Sequence, residues 1–110
     1  MIIPNADRAV IDIRKLRDYC LNPAHNEGKH KARLFSAKLG ITRQDAEALR
    51  EILSKKVLTE PATMGRRDDF GQRYIIDFEF EWQGQQAILR SGWIIEHDQN
   101  EPRLTTCYPL

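Results

Sequence analysis

The sequence contains no long apolar run, and this absence excludes a membrane-spanning helix. A span needs about 20 consecutive apolar residues, and no stretch approaches that length. The N-terminal segment MIIPNADRAV also lacks the basic region and the long apolar segment of a secretory signal. We therefore expect a cytoplasmic protein that has no membrane partner.

Cysteine is scarce, and the spacing of the two cysteines excludes the common thiol motifs. Cys20 and Cys107 lie far apart and neither belongs to a Cys-x-x-Cys pair, so we expect two small buried apolar residues. The histidines and acids lack the spacing of metal ligands. The sequence also has no phosphate loop, dinucleotide fingerprint or nucleophile elbow. We expect no metal, no cofactor, and no ATP, NAD or serine-hydrolase chemistry.

Neither sign of charge is in excess, because 17 basic residues face 16 acidic ones. The charges are nevertheless clustered along the chain. Residues 25–43 hold five lysines and arginines and two histidines but one acid, Glu27, whereas acids gather at 77–81 and 96–101. This asymmetry predicts one basic surface and indicates an anionic ligand.

A length of 110 residues predicts a single domain, 1–110, whose first half, about 8–58, is helical. Asp12 can cap a short first helix, and Pro23 ends its apolar stripe. A second helix is predicted from Lys29 to Leu39, with Gly40 as its stop. Thr42 and Asp45 resemble the capping box of a third helix. The predicted inward residues of the three helices are Ile13, Leu16, Cys20, Ala32, Phe35, Leu39, Ala46, Leu49, Leu53 and Val57.

The second half, about 66–109, changes to the period of two that is typical of strands. In QRYIIDFEFEW large residues alternate with smaller or charged ones, and Gln83-Gly84 makes a turn into QAILRSGWIIEH. RLTTCY predicts a third strand, and either 66–70 or RAVI supplies a fourth. We predict an α+β fold in which two or three N-terminal helices pack on one face of a three- to four-stranded antiparallel meander.

GKHK, at the predicted start of the second helix, is the first candidate site. A helix N-terminus favours a bound anion, and Lys29 and Lys31 add positive charge. His30 can exchange a proton near neutral pH, as acid-base attack on a phosphodiester requires. The alternative is that two solvated lysines flank a surface histidine, and for an isolated Lys-His-Lys this alternative is favoured.

The last strand, PRLTTCYP, is the second candidate. Strict alternation predicts one face that holds Leu104, Thr106 and Tyr108, and an opposite face that holds Arg103, Thr105 and Cys107. Hydroxyl groups near a histidine could orient a 2′-hydroxyl or hold a transition-state oxygen. The alternative is an ordinary strand, in which threonine and tyrosine are common.

Arg90 and Trp93, in the middle strand, form the third candidate. A guanidinium could hold a phosphate and an indole could stack on a base. Structural roles are the alternative: Arg90 would pair with Asp77 or Glu79, and Trp93 would lie in the core. We favour the core for Trp93 and leave Arg90 open.

Four segments carry a resemblance to a known family: IPNADRAVIDIRKLRDYCLNP, GKHKARLF, FGQRY and PRLTTCY. They resemble a family of small uncharacterised bacterial domains that occur free-standing and at the ends of polymorphic-toxin and phage-associated proteins. More distantly, the order of elements is similar to the colicin D type of ribonuclease toxin, within the barnase, EndoU, colicin and RelE-like grouping.

The distant resemblance implies metal-independent cleavage of RNA, with tRNA as an expected substrate and a small protein inhibitor as an expected partner. His30 would be the general acid or base, Lys29 and Lys31 would hold phosphate, and Thr105 or Thr106 would assist. Folding could also bring His25 or His97 near. The further predicted RNA-binding residues are Arg33, Arg90, Arg103 and Tyr108. The alternative function is a non-catalytic module that recognises an anionic ligand or a protein partner, such as one encoded by a neighbouring gene.

Overall fold

The computed structural model describes residues 1–110, and it begins with a short 3₁₀ turn, Ala6–Arg8. Helix α1, Ile13–Lys15, starts where predicted, because the Asp12 carboxylate accepts a hydrogen bond from the Arg14 N–H at 3.0 Å. The helix continues as a wider π-helical turn, Leu16–Cys20. The Leu21 N–H closes this turn by donating to the Leu16 carbonyl.

Helices α2 and α3 follow the predicted pattern closely. Helix α2 is Lys29–Leu39 and ends at Gly40, which has the left-handed φ of 70° that glycine tolerates. A 3₁₀ turn, Arg43–Asp45, leads into α3, Ala46–Thr59, and the predicted capping box between Thr42 and Asp45 is present. Both helices bury the residues that the periodicity assigned to their inner faces.

The four strands form one antiparallel sheet in chain order: β1 (Thr63–Arg67), β2 (Gly71–Trp82), β3 (Gln85–Glu96) and β4 (Arg103–Pro109). Gln83 and Gly84 both have positive φ, as a two-residue hairpin turn requires. The fourth strand, β1, overlaps the first of the two predicted segments. Within RAVI, Val10 makes only an isolated parallel bridge to Arg103.

A β-bulge in β4 corrects the predicted alternation. Gly92 pairs with Thr106 and Trp93 pairs with Leu104, so Thr105 is an extra residue in β4. Because of this insertion Leu104 and Cys107 both point inward and are fully buried. The prediction that Leu104, Thr106 and Tyr108 share a face was therefore wrong, since one inserted residue reverses the facing of those that follow.

The three helices pack on one face of the sheet, around a core that contains Phe35 of α2 and Trp93 of β3. The predicted core position of Trp93 is confirmed, and its indole N–H donates to the Ser91 hydroxyl. Cys20 and Cys107 are buried free thiols, as expected. Burial raises the pKa of Cys20 to about 11, against the opposing effect of a Cys107 main-chain hydrogen bond.

None of the helices combines the length and the apolarity that crossing a membrane requires.

Candidate functional site at the edge of the sheet

A lysine held between two tyrosines lies beside the free edge of β4. The Lys31 ammonium, on α2, donates a hydrogen bond to the Tyr19 hydroxyl at 3.0 Å and lies 5.1 Å from the centre of the Tyr19 ring. It also lies 5.6 Å from the centre of the Tyr108 ring, on β4. Both distances suit cation–π attraction. We call Tyr19, Lys31 and Tyr108 the edge cluster.

The charge of Lys31 is not neutralised by a carboxylate. No aspartate or glutamate oxygen lies within 4.0 Å of its ammonium, and the neighbours that hold it are neutral phenols. The hydrogen bond to Tyr19 raises the pKa of Lys31, so the group is a cation throughout the physiological range. A fixed, half-buried cation with no counter-charge is suited to binding an anion.

Tyr108 connects the edge cluster to a charge pair on the outer face of the sheet. Tyr108 pairs directly with Arg90 in the β3–β4 register. Arg90 makes two hydrogen bonds to the Asp77 carboxylate, at 2.9 and 2.8 Å. The Asp77 carboxylate, and then the Tyr108 hydroxyl, raise the pKa of Arg90. Of the two carboxylates predicted as partners for Arg90, the structure uses Asp77.

His25 packs against Tyr19, with the two rings edge to face and their centres 5.0 Å apart. Its Nδ1 accepts hydrogen bonds from the main-chain N–H groups of Glu27 and Gly28, at 3.0 and 2.9 Å. A ring nitrogen that accepts from two N–H donors carries no proton of its own, so the neutral ring carries its proton on Nε2. In this geometry His25 is a hydrogen-bond donor through Nε2.

A cleft of about 600 Å³ adjoins the edge cluster and contains Tyr19, His25 and Thr105 in its wall. The rest of its wall is charged, and consists of Asp12, Arg14, Lys15, Asp18 and Glu27. Thr106 lies next to Thr105, but its hydroxyl oxygen is buried and has no hydrogen-bond partner of normal geometry. Of the two threonines, Thr105 therefore reaches the cleft.

The structure does not bring His30 together with the C-terminal strand. At 100° per residue, His30 points away from the core-facing Ala32, and its exposed ring makes no hydrogen bond. The catalytic role predicted for His30 stays a prediction. His25, which the sequence offered only as a second histidine, is the one that packs against the edge cluster.

The remaining predicted RNA-binding residues lie elsewhere. Lys29 and Arg33 project from the other side of α2, into a second cleft. Arg103 lies at the start of β4, where its Nε is 3.3 Å from the Glu96 carboxylate. The predicted residues that the fold does place along β4 are Lys31, Arg90, Thr105, Thr106 and Tyr108.

The cations without a carboxylate partner are concentrated on one helix. Most arginines of the chain lie within 4.0 Å of an aspartate or glutamate, from Arg8 near the N-terminus to Arg103 on β4. The lysines and arginines that have no such partner are Lys15, Lys29, Lys31, Arg33, Lys38 and Arg67, and four of these belong to α2. The predicted basic surface therefore corresponds to the solvent-facing sides of α2.

Tyr19 was not predicted from the sequence as a site residue, and His25 was predicted only as an alternative histidine. Tyr19 falls between the buried Leu16 and Cys20, off the apolar stripe, and no motif singles it out. His25 is followed by Asn-Glu-Gly, and Gly28 is the residue that could have indicated a close contact between this loop and Tyr19. A Cβ on Gly28 would overlap the main-chain carbonyl of Tyr19, so a glycine is needed where the loop crosses Tyr19.

No three or more His, Cys, Asp or Glu side chains lie close enough together to hold a metal ion.

Comparison with known proteins gives a family and a similar fold. A chain from a "Contact-dependent growth inhibition toxin - immunity protein complex from Klebsiella pneumoniae 342" superposes with a TM-score of 0.62. The alignment covers 92% of this chain and 99% of that chain at 16% sequence identity, which shows a similar fold. No curated protein sequence matches. Residues 2–110 match the family described as Domain of unknown function (DUF6883), and the chain therefore belongs to that uncharacterised family.

Proposed function

We propose that the chain is an RNA-cleaving toxin domain that needs no metal ion and acts in the cytoplasm, with tRNA as the expected substrate. The observation that carries the proposal is the edge cluster, in which the ammonium of Lys31 has no counter-charge and is held beside two phenols. Similarity of fold to a chain of a toxin–immunity complex supports it. Fold alone does not determine activity, so the side chains of the edge cluster are the basis for assigning one.

Lys31 binds the phosphate to be cleaved, in this proposal, and stabilises the negative charge that develops on its oxygens. His25 and Thr105 both line the cleft that adjoins the edge cluster, and in this proposal the Nε2–H of His25 and the Thr105 hydroxyl donate to those oxygens. His25 is preorganised, because the main-chain N–H groups of Glu27 and Gly28 orient its ring. Stabilisation of this kind commonly contributes a hundredfold or more to a rate.

Proton transfer needs an acceptor and a donor. His30 does not contact β4, but it immediately precedes Lys31 on α2, its ring is exposed and its ring nitrogens make no hydrogen bond. In this proposal His30 therefore accepts the proton of the 2′-hydroxyl of the RNA that Lys31 binds. The 2′-oxygen attacks phosphorus, the bond to the 5′-oxygen breaks, and a cyclic phosphate forms. Tyr19 accepts its hydrogen bond from Lys31 and keeps its own proton, which it gives to the departing 5′-oxygen.

Cleavage of total tRNA in EDTA, read on a denaturing gel, tests this proposal. We expect discrete fragments from the wild type, and a loss of about 10²–10⁴-fold in rate for His30→Ala. His97→Ala is the matched control, because His97 contacts the carbonyl of Asp68 at another part of the fold. If folded wild type that is free of inhibitor leaves tRNA intact, the proposed enzyme activity is rejected. If His30→Ala cleaves tRNA as fast as the wild type, the role of His30 is rejected.

A non-catalytic partner-binding module is the second candidate, and one observation favours it. Strand β1 pairs only with residues 72–75 of β2, so the rest of β2 has a free edge, where Glu79 and Glu81 are exposed. A free edge can accept a strand from a protein partner. Under this alternative the purified chain leaves tRNA intact, and expression without a partner does not arrest growth. Arrested growth that His30→Ala relieves would contradict it.

A further inference from the structure

A second cleft lies on the opposite side of α2 from the edge cluster. It has a volume of about 630 Å³ and lies between α2 and the 3₁₀ turn Arg43–Asp45. At 100° per residue, Lys29 and Arg33 project roughly opposite to Lys31, so α2 separates the two sites. Its volume falls in the range of ordinary small-ligand pockets.

The wall of this cleft combines apolar surface with hydrogen-bonding groups. Pro23 is exposed and provides apolar surface, next to the almost fully buried side chains of Leu21, Ala32 and Ile41. Ser36 and Gln44 are exposed and supply a hydroxyl and an amide. An apolar surface that is flanked by a few polar groups suits a flat heterocycle with polar edges, such as a nucleobase.

Two of the three cations at this cleft are free to bind an anion. Neither Lys29 nor Arg33 has a carboxylate within 4.0 Å. Arg43 differs, because its guanidinium donates to the Asp18 carboxylate and to the Arg17 carbonyl, at 3.0 and 2.9 Å. A phosphate at this cleft would therefore be bound by Lys29 and Arg33.

We propose that this cleft binds one nucleotide of the RNA whose scissile phosphate lies at the edge cluster. The base packs on the apolar surface and the phosphate binds Lys29 and Arg33. Between the two sites the RNA backbone passes over the N-terminal end of α2, where His30 is exposed. The inference rests on the proposed function, and it specifies the substrate as a single strand that extends beyond the cut.

Binding of a non-cleavable RNA tests the cleft independently of catalysis. The probe is a 12-nucleotide single strand with 2′-O-methyl riboses, measured by fluorescence anisotropy. We expect Lys29→Glu with Arg33→Glu to weaken binding about tenfold and to lower the slope of log Kd against log salt by about 1.4, since each phosphate contact on a single strand contributes about 0.7. Lys55→Glu with Arg67→Glu changes the net charge equally, on α3 and β1, and is expected to stay within about twofold of the wild type.

The inference would be overturned if both double variants lost affinity for the probe equally, if neither lost any, or if the wild type did not bind it. Cleavage assays distinguish a cleft that does not bind RNA from a chain that does not cleave RNA. We expect the cleft variant to lose much more of its rate on a 12-nucleotide RNA than on a dinucleotide, which is too short to reach the cleft and the edge cluster together. A wild type that cleaves neither RNA refutes the proposed function, while the binding data still decide on the cleft.

The base is tested separately by NMR titration. Adenosine 5′-monophosphate should shift the amide signals of Ala32, Ser36 and Gln44, and ribose 5-phosphate should shift those of Lys29 and Arg33 alone. Identical shifts from both ligands, or shifts only around Tyr19 and Tyr108, would overturn the assignment of a base to this cleft.

Discussion

The solvent-facing sides of α2 and the outer face of the sheet are both rich in charge, but they use it differently. On the sheet, Arg90 binds Asp77, and Arg73 binds Asp68 with 2.7 Å between the nearest atoms. On α2, Lys29, Lys31 and Arg33 have no carboxylate partner. Paired cations have little attraction left for a ligand, whereas unpaired ones retain it. We infer from this difference that α2 is the surface best suited to an anionic ligand, in a chain with a net charge of only +1.

Among changes to the paired and unpaired charges, Lys31→Met should have the largest effect. Removal of the cation from between Tyr19 and Tyr108 is expected to lower the single-turnover rate of tRNA cleavage about 10²–10³-fold. The lost hydrogen bond to Tyr19 should cost only about 1 kcal/mol of stability. Lys38→Met is the control on the same helix, since Lys38 donates to the main-chain oxygen of Leu110. Comparable loss of rate in both variants would show that helix charge, rather than the position of Lys31, matters.

Gly28→Ala tests whether the position of α2 is what creates the site. The added Cβ would overlap the Tyr19 carbonyl, so we expect a loss of about 1–3 kcal/mol in unfolding free energy, together with reduced cleavage. Gly40→Ala is the matched control at the other end of α2. There the φ of 70° disfavours alanine but no atom is near, so stability should fall by about 1 kcal/mol with activity retained. Wild-type cleavage by folded Gly28→Ala would contradict the proposed site.

Asp77→Asn should convert a paired cation into an unpaired one. Loss of the carboxylate releases Arg90 beside Tyr108, and we expect binding of single-stranded RNA to strengthen about threefold. The exposed pair should contribute less than about 1 kcal/mol to stability. Glu79→Asn removes the same charge from a residue without a cationic partner. Equal gains in both variants would mean that general charge, not release of Arg90, is responsible.

Acid should slightly reduce the stability that the paired charges of the sheet contribute. Hydrogen bonds from Arg73, then Arg66 and the Phe70 N–H, hold the pKa of Asp68 well below its usual range. A carboxyl whose pKa is lower in the folded state stabilises the fold above its unfolded pKa of about 4, and this contribution is lost as the pH falls below that value. The unfolding temperatures measured at pH 6 and at pH 3 should therefore differ less for Asp68→Asn than for the wild type. Asp69→Asn, at a residue without such partners, should behave like the wild type.

The sequence was sufficient for the elements of this fold because local signals determine them. The capping box at Thr42, the stop at Gly40 and the turn at Gln83-Gly84 each use backbone chemistry that a few residues specify. The bulge at Thr105 has no such signal. It depends on how β4 pairs with β3, and it determines which β4 side chains reach the core.

The site was only partly predictable, because contacts between distant segments complete it. Lys31 and Tyr108 were predicted separately, but their approach to Tyr19 requires the π-helical turn and the loop that follows it. Whether a cation is paired also depends on the fold. The sequence does not show which of Arg90 and Lys31 has a carboxylate partner. The β2–β3 register, which sets Asp77 opposite Arg90, decides this.

The central claim is that the unpaired cations of α2 bind RNA and that paired cations elsewhere do not. The most direct test compares two charge-matched triple variants for binding of the 12-nucleotide RNA over a range of salt concentrations. One carries Lys29→Gln, Lys31→Gln and Arg33→Gln. The other carries Arg8→Gln, Arg50→Gln and Arg66→Gln, at exposed cations that have carboxylate partners. For the first triple variant, we predict that the slope of log Kd against log salt falls by about 2. For the second, we predict the wild-type slope. Equal slopes in the two variants would contradict the account.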